Sequence, residues 1–195
     1  MDYRPSTALI VVDVQNDFAS PEGNLPVPGG ESVIPFINDQ IADALRAGAV
    51  VVYTQDWHPE TTPHFEKDGG IWPVHCVAGT AGAEFHPDLD VVDEAVVIKK
   101  GVGGEDGYSA FNIRDPESGQ VSATGLADQL RGRGVNGIAV LGLALDYCVK
   151  ETAIDSVTDG FETTLLADGT SAVNLRPGDG SRAVADIAMS GATVE

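Results

Sequence analysis

Only two of the 195 residues are cysteine, Cys76 and Cys148. That excludes a disulfide-stapled scaffold and fits a reducing compartment, so a cytoplasmic location is expected. No apolar run approaches the roughly 18 residues of a membrane span. The opening MDYRPSTALIVVD has no basic stretch leading into a long apolar run and a small-residue cleavage site, so no secretion signal is expected. Basic charge is also short. Lys and Arg number 11 against 30 Asp and Glu, a formal net charge of −19. Such a surface repels nucleic acid and anionic membrane, and neither is expected as a partner. No Gly-x-Gly-x-x-Gly turn follows the first apolar run. The chain reads Asp-Val-Gln-Asn-Asp from Asp13 to Asp17, which argues against a dinucleotide-binding oxidoreductase. No repeat, low-complexity tract or linker divides the chain, so residues 1–195 are expected to form one domain.

What is present is a core-forming sequence, 43% hydrophobic. Thr7–Val14 (TALIVVDV) is an Ile/Val-rich run of the kind buried on both faces in a parallel sheet. Ile34, Ile37, Ile41, Ala44 and Leu45 recur at helical spacing, with Glu31 or Ser32 as cap and Gly48 as stop. Val50–Thr54 is a second strand and Ala95–Ile98 a third. A helix begun near Ser122 is expected to end at Arg133. Ile138–Leu141 is a fourth strand, and a helix follows from about Tyr147 with Val149, Ala153 and Val157 on one face. Phe161–Ala167 is a fifth strand, Arg182–Met189 a helix, and Ala192–Val194 a short sixth strand or tail. The alternation predicts a three-layer α/β/α sandwich around a mostly parallel sheet of about six strands.

Open parallel sheets bind ligands beyond the C-terminal ends of their strands. Asp13 lies at the end of strand one, and Asp56 just beyond strand two. Lys100 lies just beyond strand three, and Cys148 follows strand four. Cys148 sits where strand passes into helix, a position expected to favour thiolate over thiol. Thiol attack on a carbonyl needs a base, a nucleophile and a positive group, and Asp13, Cys148 and Lys100 supply them. The alternative is that Asp13 caps a turn and Lys100 is a surface charge. A second group lies in the long irregular stretch Gln55–Leu89, which holds all the histidines. Asp56, His58 and His75 have spacing compatible with a divalent metal: Zn²⁺ first, Fe²⁺ or Mn²⁺ as alternatives. His64 is a further ligand or a partner of bound water. The alternative is that these are loop histidines that are simply solvated or cap backbone carbonyls, which is the preferred reading for His86.

Together these residues carry a family resemblance. DVQNDF (Asp13–Phe18), TQDWHP (Thr54–Pro59) and WPVHCVAGTAGAEFHPDL (Trp72–Leu89) appear in order. They are followed by Lys100–Gly101, YSAF (Tyr108–Phe111) and GLALDYCV (Gly142–Val149). The chain resembles the nicotinamidases of the isochorismatase-like cysteine hydrolases. The resemblance implies a catalytic triad of Asp13, Lys100 and Cys148, and one divalent metal on Asp56, His58, His75 and in some members His64. It also implies a cis peptide between Leu143 and Ala144, and an oxyanion hole from the N–H groups of Ala144 and Cys148. The expected reaction converts nicotinamide to nicotinate and ammonia through a Cys thioester, with pyrazinamide as a further substrate. Phe18, Trp72, Tyr108 and Tyr147 are candidate ring-packing residues, with ordinary core as the alternative. Leu145 stands where the family often has Thr. A related amidase acting on a ureido or carbamoyl compound is the nearest rival, and a non-catalytic binding homologue a more distant one. A homo-oligomer is a prior only.

Overall fold

The computed structural model describes every residue except Glu94 and Asp106. Strand β1 (Thr7–Val12) is buried along its whole length. Period two divides its side chains between two cores. Leu9 and Val11 face one, while Ala8, Ile10 and Val12 face the other. The strand stops short of the expected Val14 because Asp13 turns the chain at φ 48°.

The apolar stripe of α2 (Ile34–Arg46) covers the first face through Ile34, Ile37, Ile41 and Ala44. A 3-10 turn, Glu31–Val33, precedes it. Neither Glu31 nor Ser32 caps the helix; the Ser32 hydroxyl donates to the Gly29 carbonyl instead. Strand β2 (Val50–Asp56) and strand β3 (Val96–Lys100) both run further than expected. Asp56 and Lys100 are therefore ladder residues, paired with each other in register, rather than loop residues beyond the strands.

Residues 112–123 depart from expectation. A two-stranded antiparallel hairpin, β4 (Asn112–Arg114) and β5 (Val121–Ala123), occupies them. Helix α3 (Leu126–Gly132) starts only after it. The Ser122 backbone is paired with Ile113 and is not free to begin a helix.

Strand β6 (Gly137–Leu143) pairs with β1 and is fully buried. A π-helical turn, Leu145–Val149, leads into α4 (Lys150–Thr158). Strand β7 (Glu162–Ser171), α5 (Asp179–Ser190) and β8 (Thr193–Val194) complete the chain. The six-stranded sheet has the order β3-β2-β1-β6-β7-β8, with every described pairing parallel. Leu126, Leu130, Val149, Ala153 and Ile187 pack helices α3, α4 and α5 on the second face. The result is a three-layer α/β/α sandwich.

The chain builds β1, β2 and β3 outward in one direction, then returns to lay β6 on the other side of β1. That reversal opens a crevice between the ends of β1 and β6. Gly142, at φ 113°, allows the two strands to meet there, since a Cβ would lie 2.2 Å from the Val12 carbonyl oxygen. Among the described residues no helix is long and apolar enough to cross a membrane.

Candidate active site

Side chains from the ends of three strands and from the π turn converge at this crevice. The Lys100 ammonium is fully buried and donates to Asp13 Oδ2 at 2.6 Å and Asp56 Oδ1 at 2.7 Å. It lies 3.5 Å from Cys148 Sγ. Thr54 holds Asp13 from the neighbouring strand, donating to its Oδ1 at 2.6 Å while accepting the Asp13 N–H at 3.1 Å. Lys100 is thus no surface charge, and Asp13 is not merely a turn cap.

The electrostatics follow from this burial. Burial works against the charge on Lys100, but the two carboxylates and the thiol outweigh it and hold its pKa well above the ordinary value. Burial pushes Asp13 up, against the pull of Lys100 and with help from Asp56. Burial also opposes ionisation of Asp56, yet Lys100, His58 and His75 keep that carboxyl far below the usual range. Cys148 corrects an expectation. Burial raises its pKa well above the ordinary value, and Asp13 and Asp56 add to that against Lys100. Burial and the neighbouring carboxylates thus favour the thiol over a preformed thiolate. Cys148 also precedes α4 by two residues, inside the π turn, and so does not sit on the α-helix N-terminus.

The backbone around Cys148 is fixed. The Leu143–Ala144 peptide is cis, as the resemblance implies. The N–H groups of Tyr147 and Val149 both donate to the Ala144 carbonyl, each at 3.1 Å. Ala144 and Cys148 line one pocket.

Asp56 joins this group to the second one. Its free oxygen, Oδ2, lies 3.7 Å from His58 Nε2 and 3.9 Å from His75 Nε2. His58, His64 and His75 each bring a ring nitrogen within 4.8 Å of the others. Two observations show that this set fits a divalent cation. First, among the described residues neither nitrogen of buried His58 has a hydrogen-bond partner, a costly condition unless something else satisfies one of them. Second, His75 Nδ1 lies 2.7 Å from the Pro73 carbonyl, which can only accept. The proton is therefore on Nδ1, and Nε2 presents its lone pair toward Asp56 and His58. Burial also lowers the His75 pKa to about 4, keeping the ring neutral. Gly101 makes room for His58: at φ 73°, a Cβ there would sit 2.4 Å from Nδ1. Asp13, Asp56 and Cys148 also lie within 4.8 Å of one another, but the Lys100 ammonium already stands among them as their cation.

Between the two groups lies a narrow pocket that opens to solvent. Phe18, Trp72, Tyr108 and Tyr147 all line it. Trp72 Nε1 donates to the Tyr108 hydroxyl at 2.9 Å, and Trp72 packs edge-on against Tyr147. His86 lies elsewhere. It is buried rather than solvated, and its Nδ1 accepts the Asp88 N–H at 3.2 Å.

The isochorismatase domain family matches residues 7–194. The chain belongs to the isochorismatase-like superfamily and, within it, to the nicotinamidase family. It is 43% identical over 171 residues to the nicotinamidase/pyrazinamidase of Mycobacterium tuberculosis, covering 86% of this chain and 87% of that protein. The fold superposes on the pyrazinamidase of Pyrococcus horikoshii in complex with zinc at TM-score 0.87. That pair shares 41% identity over 98% of this chain and 99% of the other. PnC1 from L. infantum in complex with nicotinate gives TM-score 0.88 at 38% identity, over 100% and 95% of the two chains. Membership in this family supports a hydrolase activity.

Sequence reasoning missed several residues of the nicotinamidase-type site. Gln15 is fully buried and binds both sides of the Asp56 residue, donating to its carbonyl and accepting its N–H, each at 2.8 Å. A polar residue one step beyond an apolar run was the available signal. Thr54 stands two residues before Asp56 on the same strand face, a signal that period two offers. Leu25, Val27 and Val173 line the pocket from loops and left no periodic trace.

Proposed function

We propose that this chain hydrolyses nicotinamide to nicotinate and ammonia, with pyrazinamide as a second substrate. One observation carries the reading. A buried thiol, a carboxylate and an ammonium, linked by contacts of 2.6 and 3.5 Å, adjoin a small pocket walled mainly by aromatic and aliphatic groups. That pocket suits a flat, neutral ring carrying a carboxamide. The nearest rival is an amidase for a ureido or carbamoyl compound. Where such a substrate carries a carboxylate, it would need a cationic side chain on the wall. Among the described residues no Lys or Arg lines the pocket, and the nearby Lys100 is committed to Asp13 and Asp56.

In the proposed mechanism the Cys148 sulfur attacks the amide carbon as its proton passes to Asp13. Because the thiol is held above its ordinary pKa, proton transfer accompanies attack rather than preceding it. Lys100 fixes Asp13 and balances its charge. The N–H groups of Ala144 and Cys148 receive the developing oxyanion, a donor contribution worth ~3 kcal/mol apiece in comparable sites. The C–N bond then breaks as Asp13 returns the proton to nitrogen, and ammonia leaves. Water adds to the thioester while Asp13 takes a proton from it, and the proton returns to sulfur as nicotinate departs. Asp56, His58, His64 and His75 would hold a divalent ion, Zn²⁺ by donor type, which supplies a Lewis-acid anchor for the ring nitrogen. Phe18, Trp72, Tyr108 and Tyr147 hold the ring by packing.

Ammonia release from nicotinamide, pyrazinamide and a carbamoyl amino acid tests the reading. Turnover of the first two, lost by roughly 10⁴-fold or more in Cys148→Ala with metal content retained, is the expected result. Substantial turnover by Cys148→Ala would end the covalent scheme. Preference for the carbamoyl compound would end the substrate assignment.

A further inference from the structure

Asp146 is buried, lies two residues before the proposed nucleophile, and has no role in the chemistry above. Among the described residues it has no cationic partner within ion-pair distance. Its two oxygens are instead spent on two successive backbone N–H groups far along the chain. Oδ1 accepts from Val173 at 2.9 Å, and Oδ2 accepts from Asn174 at 2.8 Å. Hydrogen bonds to an ionised carboxylate are about twice as strong as neutral ones, so this is a firm clamp.

The clamped segment, residues 172–178, joins β7 to α5. Asn174 adopts φ 54° and accepts the Gly180 N–H at 2.9 Å, which ties the segment to the first turn of α5. Behind it, the Ser171 hydroxyl donates to the Pro28 carbonyl at 2.5 Å. Neither tie reaches the turn that carries Cys148. Val173 lines the pocket together with Ala144, Tyr147 and Cys148. The β6–β7 ladder brings Ser171 beside Leu143, and beyond that point Asp146 is the hydrogen-bonded link from the thiol-bearing turn to this wall.

The geometry points to Asp146 as a specificity-determining positioning residue that holds Val173 as a rigid stop for the substrate ring. This rests on the amidase reading and names what limits its substrate: a six-membered aromatic carboxamide without bulk on the edge facing Val173. One methyl group in an apolar pocket is worth about 10-fold or more in discrimination. Releasing the wall should remove most of that factor.

The test compares nicotinamide with 5-methylnicotinamide and 6-methylnicotinamide in the parent, Asp146→Asn and Val173→Ala. The Asn variant sets an amide NH₂ against one of the two N–H groups it must accept. The parent should favour nicotinamide over at least one methylated ring by ~10-fold or more in kcat/KM. Asp146→Asn should raise KM for nicotinamide more than it lowers kcat, and bring that ratio to within about threefold of unity. Val173→Ala should reproduce the relaxed ratio, and the double variant should add little to either. A lowered melting temperature with the ratio unchanged would make Asp146 merely structural and overturn the inference. So would a fall in kcat alone, or a ratio untouched by Val173→Ala. Calorimetric binding of the same amides to Cys148→Ala, with and without Asp146→Asn, separates the two readings. A size preference in binding that Asp146→Asn relaxes would stand even if turnover failed. Equal binding of all three rings by the parent would overturn the wall assignment while leaving the amidase reading intact.

Discussion

The two charged groups that meet at Asp56 are built differently. Asp13 and Lys100, with Asp56 Oδ1, stand on strand ends and satisfy one another at 2.6 and 2.7 Å. His58, His64 and His75 stand on the irregular segment after β2, and among the described residues neither ring nitrogen of buried His58 has a hydrogen-bond partner. The first group needs nothing from outside to be stable. The second leaves the imidazole nitrogens of His58 available for a partner from outside the described residues. Internal charge compensation distinguishes the group proposed to act on the substrate's carbonyl from the imidazole group proposed to take an ion.

This contrast can be broken experimentally. The largest effect is expected from Lys100→Ala, which strands two buried carboxylates. It should cost ~3–5 kcal/mol in urea unfolding, in addition to activity. A loss under 1 kcal/mol would mean that the strand-end group is not internally balanced. Gln15→Ala removes the brace on Asp56 and should weaken Zn²⁺ binding by about 10–100-fold in a chelator competition. Unchanged affinity would show that Asp56 is held by Lys100 alone. His58→Phe should act in the opposite sense to Lys100→Ala. In chelator-treated protein, stability should hold or rise by about 1 kcal/mol, because two unsatisfied polar atoms are removed. A large loss there would mean His58 has an internal role.

The smallest effect concerns pH. Asp13 must be ionised to accept the thiol proton, and burial raises its pKa. Activity should therefore fall as pH drops through a value above the usual carboxylate range near about 4. The Thr54 hydroxyl bond favours the ionised form, so Thr54→Val should move this acid limb to still higher pH. A limb that stays in place or moves down would remove Asp13 as the proton acceptor.

Much of this was legible in the chain. Buried Ile/Val/Leu runs alternating with 3.6-period stripes gave five of the six sheet strands and helices α2 and α5 close to their observed positions. The short sixth, β8, fell within a stretch read as either strand or tail. Polar residues ending apolar runs marked Asp13, Asp56 and Lys100. The hairpin β4–β5 was not legible, since Asn112–Arg114 and Val121–Ala123 are half-exposed or exposed and carry little hydrophobic pattern. The state of the Cys148 thiol was misread for a related reason. Local position suggested the field of a helix end, whereas complete burial dominates, with carboxylates brought from β1 and β2 adding to it against Lys100.

By itself, the sequence determined the layer architecture and which residue types could act, because periodicity and side-chain chemistry are local properties. Only the tertiary structure decided that Lys100 lies between two carboxylates, that Cys148 is buried beside all three, and that Val173 lines the pocket while bonded to Asp146. Each of those depends on strand order and on burial, which set distances between residues that are remote in the chain.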